Sequence, residues 1–251
     1  MLREKLMAND IGRAGDFRWR GHEISRIEGL SDAVFAFAIT LLVVSLEVPK
    51  TFTELAETMH GFGAFLVSFL LLFAVWFNQY KFFRRYGLQD TTTVALNAAL
   101  LFVVLFYVYP LKFLFSFLID RFTGGHGEVR LANGNVVAMI ENHEQMAHLM
   151  EIFSLGYLAV FAVFVLLFCH AYRRREALEL NELERFDTRG SIQDAALNCG
   201  ITVISLLVVI VGGPQRAGLA GMVYMLSAVV FTINGMVMGK RRRKLEERLR
   251  D

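Results

Sequence analysis

The first apolar stretch of the chain carries side chains able to do chemistry that its neighbours cannot. Ser31 and Asp32 stand where the run begins, Thr40 lies in its middle, Glu47 lies near its end, and Arg26 precedes them all. Polar groups inside an apolar span are costly, so their placement points to function. Ala33, Phe37, Thr40, Val44 and Glu47 recur at steps of four, three, four and three. That spacing puts them on one helical face over about 21 Å at 1.5 Å per residue. Small, bulky, hydroxyl, bulky, acidic is the order expected of a face lining an ion path. Phe37 would be an apolar constriction, Thr40 a ring that assists dehydration, and Glu47 an outer carboxylate ring that concentrates cations. The same spacing fits an ordinary packing stripe with Glu47 reaching the headgroups, and spacing alone does not separate the two. Ser31 and Asp32 also suit a helix start, where a hydroxyl caps free amides and a carboxylate meets the positive end of the dipole.

The elements that must position these groups are apolar helices. Of 251 residues 55% are hydrophobic, well beyond what a soluble core of this size buries, so the excess must face lipid. A hydrocarbon core needs about 20 apolar residues as helix. Stretches near 29–48, 61–82, 92–115, 149–172, 191–211 and 217–238 meet that length, and the reading is an all-α integral membrane protein with six spans per subunit. Five spans would require one of these to be re-entrant. Gly87 and Gly212-Gly213-Pro214 punctuate the run, as turn residues should.

Lysine and arginine cluster before the first span, between the second and third, between the fourth and fifth, and after the sixth. Lys50, Lys112, Arg121, Arg130 and Arg216 fall on the other side. The positive-inside rule then places both termini in the cytoplasm. The chain divides into a cytoplasmic segment 1–28, a membrane domain 29–239 and a basic tail 240–251. The start of the chain is polar and basic, so no cleavable leader is expected. The long external connection near 118–148 should hold a small hairpin, with strands at 128–131 and 136–140 around Asn133-Gly134.

Other chemistries find little footing. His126, His143 and His148 with Glu141 and Glu144 match no standard metal spacing, so no metal or cofactor is expected. Cys169 and Cys199 lie in apolar runs and read as packing. A net charge of +2 does not point to nucleic acid. No nucleophile with a base and no phosphate-cradling loop supports an enzyme.

Arg26-x-x-x-Leu30-Ser31-Asp32 followed by Ala33-Val34-Phe35-Ala36-Phe37-Ala38-Ile39-Thr40 resembles the first-helix signature of the transmembrane protein 175 family of potassium channels. The family pattern has phenylalanine where Leu30 stands. Trp76-Phe77-Asn78-Gln79 resembles its Trp-x-x-His segment, with Gln79 in the histidine position, and Asn97 fits a common family position. The resemblance implies a potassium-permeable channel with no carbonyl filter, in which the first helix lines the pore and a bulky residue one turn below a threonine forms the constriction. Aligned on Thr40 that residue is Phe37, where isoleucine or leucine is usual. The motif occurs once, which implies the prokaryotic single-repeat form, a homotetramer in a bacterial inner membrane whose partners are K⁺, lipid and its own copies. Arg26, Ser31 and Asp32 are then a polar network, with Gln79, Asn97 or Asn198 as candidate partners. A secondary transporter or a membrane scaffold sealed by Phe37 are the competing readings.

Overall fold

The structure is a computed structural model and describes residues 17–250 apart from 22, 45–49, 53–54, 56–58, 60, 126 and 131–134. Its helices are α1 (Arg26–Val44), α2 (Phe62–Tyr86), α3 (Thr91–Phe122), α4 (His143–Arg173), α5 (Glu182–Gly212), α6 (Ala217–Val223) and α7 (Leu226–Arg250), with a 3₁₀ turn at Pro214–Arg216 before α6. Strands β1 (Glu128–Arg130) and β2 (Val136–Ala138) pair antiparallel with Val129 opposite Val137. They stand where the sequence places the hairpin, although its turn lies outside the described residues.

Local chemistry explains the boundaries. The Ser25 amide donates to Glu28 Oε2 at 2.9 Å and the Glu28 amide donates to Ser25 Oγ at 3.2 Å, a reciprocal cap that starts α1 at Arg26. The expectation that Ser31 caps the helix is therefore corrected: Ser31 sits beyond the first turn, and its hydroxyl donates to the Ile27 carbonyl at 2.7 Å. Gly87 ends α2 at φ 59°, a left-handed turn, with its amide on the Phe83 carbonyl. Asn181 and Glu184 form a capping box at the start of α5.

The last expected span is not one unbroken helix. Tyr224 and Met225 form a turn between α6 and α7. The Ser205 hydroxyl donates to the Ala220 carbonyl and the Ser227 hydroxyl to the Tyr224 carbonyl. These are carbonyls that an uninterrupted helix would offer to amides four residues on. Bonds of the i→i+3 kind, Tyr224 to Gly221 and Met225 to Met222, tighten the junction instead.

α3 is the hub. It packs against α1 and α2 on one flank and α4 on the other, while α4 pairs with α5, and α5 carries α6 and part of α7. One buried cluster, including Phe35, Phe82, Leu100 and Phe164, ties α1, α2, α3 and α4 together. A second, including Leu114, Met150, Phe153 and Ala220, lies toward the other end of the bundle. Phe102, Phe106, Ile210, Val211, Val229 and Ile233 remain exposed, more apolar surface than water tolerates on a soluble monomer. Among the described residues four helices, α2 to α5, and the stretch Pro214–Leu249 are long and apolar enough to cross a membrane. α1 shows 19 described residues, and the apolar residues that follow it lie outside the described set.

Candidate ion-conduction site

α1 has two unlike faces. Glu28, Ser31, Phe35, Ala38 and Leu42 are buried, with Ala38 and Leu42 at 0% exposure. Their steps of three, four, three and four define a stripe against α2 and α3. Ala33, Phe37 and Thr40 are exposed, Phe37 by 57%. At about 100° per residue, this second stripe lies on the opposite side of the helix from the first. The Thr40 hydroxyl donates to the Ala36 carbonyl at 2.9 Å, leaving oxygen lone pairs free to face outward. The side chain of Val44 lies outside the described residues. Glu47 lies outside the described residues. Arg26 is exposed at the first turn and shares the side of Ala33 and Phe37 by the same rotation.

Behind this helix three uncharged polar side chains meet in the dry interior. Gln79 Nε2 donates to Asn97 Oδ1 at 2.6 Å, and Asn97 Nδ2 donates to Ser31 Oγ at 2.9 Å. All three are at most 2% exposed. The chain of donors runs from α2 through α3 into α1 and ends on the Ile27 carbonyl. Leaving any one of these groups unpaired costs about 1–3 kcal/mol, so the network fixes the depth and rotation at which α1 seats. Sequence reading named these three residues, and the structure brings them together. Asn198 is elsewhere: it accepts from the Tyr157 hydroxyl at 2.7 Å and donates to the Asp194 carbonyl.

Asp32 is not part of that chain. It is exposed, and its Oδ1 accepts from the Trp76 indole at 2.8 Å. Trp76 in turn stacks on Tyr80 and leans on Phe73. Asp32 and Trp76 both lie in segments singled out from sequence, but their pairing was not foreseen, because a carboxylate suggests a charged or amide partner before an indole. Lys112, counted from sequence with the external charges, lies within α3, and its ammonium donates to the Leu42 carbonyl at 2.7 Å. α3 continues past Pro110 to Phe122, so Lys112 and Arg121 lie within it and not in the connection that follows.

At the end of the bundle where α2 meets α3, ionic groups take over. Glu184, 1% exposed, accepts from the Arg20 guanidinium at 2.7 Å and 3.1 Å and from the amides of Arg18 and Asn181 at 3.0 Å. The Arg20 amide also donates to the Arg84 carbonyl. Residues 17–21 are thereby stapled to both connections on that side. Arg84 pairs with Glu28, which anchors the start of α1. Asp90 joins α3 to α4 through His170 at 2.8 Å. Partial burial would raise its pKa, but the Thr93 hydroxyl and the His170 and Arg174 charges outweigh this and hold the carboxyl below the usual aspartate value. Among the described residues no three His, Cys, Asp or Glu side chains group closely enough to hold a metal; His126 lies outside them.

Comparison with known proteins decides the family. The family model described as endosomal/lysosomal potassium channel TMEM175 matches residues 26–107. A potassium channel of Marivirga tractuosa is 37% identical over 244 residues, covering 96% of this chain and 98% of the relative. The chain belongs to the TMEM175 family. The matched window takes in α1, α2 and the part of α3 that carries Asn97, so the helices joined by the Ser31–Asn97–Gln79 network are those the family model describes. A crystal structure of a variant of the potassium channel MtTMEM175, in complex with a nanobody–MBP fusion protein, superposes with a TM-score of 0.78 at 38% identity over 92% of this chain and 100% of that one. The TMEM175 homologue of Chamaesiphon minutus shares the fold, with a TM-score of 0.54 at 23% identity over 83% of this chain and 95% of that one.

Proposed function

We propose that this TMEM175-family chain is a potassium-permeable channel in which four copies of α1 surround a common axis. The observation that carries this reading is the exposed stripe of Ala33, Phe37 and Thr40 opposite the buried face of α1. An apolar face seated so firmly, yet left uncovered by the described residues of the subunit, fits a surface completed by symmetry. The relatives named as potassium channels support the choice of ion.

Phe37 is then the hydrophobic constriction, Thr40 the ring above it, Val44 and Ala33 the adjoining wall, and Glu47 the outer mouth. Selectivity arises from dehydration at this neck, with no ring of backbone carbonyls. Ser31, Asn97 and Gln79 hold the neck in register, and Asp32 with Arg26 borders its inner end. α1 is the first of six spans, beside the five stretches that are long and apolar enough to cross a membrane. Both termini face the cytoplasm, on the side of the Arg20–Glu184 staple, where most of the basic residues fall. A bacterial inner membrane suits the single-repeat chain and its bacterial relative.

The test is passive flux of K⁺ and Na⁺ into liposomes carrying the purified protein, with Phe37→Ile beside the parent. K⁺ flux that exceeds Na⁺ flux and shifts with the substitution is the expected result. Absence of flux from both proteins would leave a sealed scaffold, and saturating flux coupled to a proton gradient would make it a transporter.

A further inference from the structure

A cleft lined by α2, α3, α4 and α5 is built in two chemically distinct halves. α2 and α4 flank α3 and approach each other through long aromatic side chains, such as Phe82 and Phe168 with ring centroids 5.7 Å apart. Between them lies an apolar cavity of about 130 Å³ whose wall includes Leu71, Ala74, Val104 and Tyr107. Closer to the α2–α3 turn lies a second cavity of about 100 Å³, walled by Lys81, Arg85, Ser191 and Asp194. Asn78 and Phe161 line both, so the two spaces meet.

From Leu71 to Arg85 the cleft follows α2 for about 21 Å, compared with about 15 Å for the hydrocarbon of one leaflet. Its charged end lies toward the basic side of the bundle and its apolar end toward mid-membrane. Among the described residues no carboxylate is ion-paired with Lys81 or Arg85. The Lys81 ammonium rests over the Phe77 ring, and Arg85 lies over Phe17 with one nitrogen 3.4 Å from the Ser191 hydroxyl. Asp194 is the opposing charge, and its Oδ1 already accepts from Asn234 at 2.7 Å.

We propose that this cleft binds an anionic phospholipid, its phosphate held by Lys81, Arg85 and the Ser191 hydroxyl and an acyl chain lying in the apolar cavity beside Ala74 and Tyr107. Cations at headgroup depth between helices, continuous with an apolar slot, are the arrangement that recognises an anionic lipid. The leaflet is the cytoplasmic one on the orientation proposed above; the headgroup chemistry does not depend on it.

Native mass spectrometry of the detergent-solubilised protein, titrated with phosphatidylglycerol, phosphatidylcholine or sodium phosphate, tests the site without reference to conduction. Phosphatidylglycerol should bind in preference to phosphatidylcholine. Lys81→Gln with Arg85→Gln should weaken it about tenfold, and Ala74→Trp, which fills the apolar half and leaves the charges in place, should weaken it as well. Arg248→Gln, in the tail, should leave binding unchanged. Each variant is compared at the same assembly size on elution, and Ala74→Trp carries the test if the double substitution does not assemble. Equal phosphatidylglycerol binding by all variants would overturn the proposal. So would its displacement by inorganic phosphate at similar concentration, which means a free-anion site, or a disulfide between copies through Asn78→Cys, which means that a neighbouring subunit fills the cleft.

Discussion

The two described faces of α1 contrast sharply. One face is saturated: Phe35, Ala38 and Leu42 are packed to within 2% of full burial, and Ser31 ends a chain of hydrogen bonds from two other helices. The other presents a phenylalanine, a threonine and an alanine that no described residue of the subunit covers. If that face lines the ion path as proposed, the network behind it sets the rotation on which the path depends.

Substitutions on the two faces should accordingly fail in different ways. Asn97→Leu strands Gln79 and Ser31 together and should cost about 2–4 kcal/mol, read as a large fall in the thermal unfolding midpoint in detergent along with loss of assembly. Leu42→Ala opens a cavity on the packed face and should cost about 2–3 kcal/mol. Trp76→Phe keeps the ring contacts but removes the bond to Asp32, an expected loss of about 1 kcal/mol. Phe37→Ala should change unfolding by only about 0.5 kcal/mol while changing ion flux. If Phe37→Ala destabilises as much as Leu42→Ala, the two faces are not different in kind and the exposed stripe is a packing surface.

Asp90 gives the smallest and most local test. Its carboxyl is held below the ordinary aspartate pKa, so the stability it contributes is present above that ordinary value and is lost as pH falls through it toward the lowered folded value. The difference in unfolding midpoint between the parent and Asp90→Asn should be full near neutral pH and should close on acidification below about pH 4. A difference that persists unchanged into acid would mean that the Asp90–His170 pair does not join α3 to α4.

Much of this was legible in the chain. Apolar run lengths and the glycines at 87 and 212–213 place the helices, because in lipid a backbone must satisfy itself within each span. The stripe of Ala33, Phe37 and Thr40 was visible because helical periodicity needs no tertiary knowledge. Which side of that stripe faces inward was not visible, since two opposed stripes of a helix share one spacing. Partner choice was the least legible layer. The Asp32–Trp76 bond, the Lys112–Leu42 tether and the break at Tyr224 each depend on a side chain from another helix, and no local pattern encodes that arrival. Asn198 shows the converse, an amide well placed by composition that the fold sends to Tyr157 instead.

The most direct test of the outward face uses thiol accessibility during flux. In a background with Cys169 and Cys199 replaced by alanine, Phe37→Cys and Ala38→Cys proteins are reconstituted, and K⁺ flux is followed before and after a water-soluble cationic thiol reagent. The account predicts that flux through Phe37→Cys is blocked and that Ala38→Cys, buried one residue away, is indifferent. Continued flux through fully labelled Phe37→Cys would mean that α1 does not line the path.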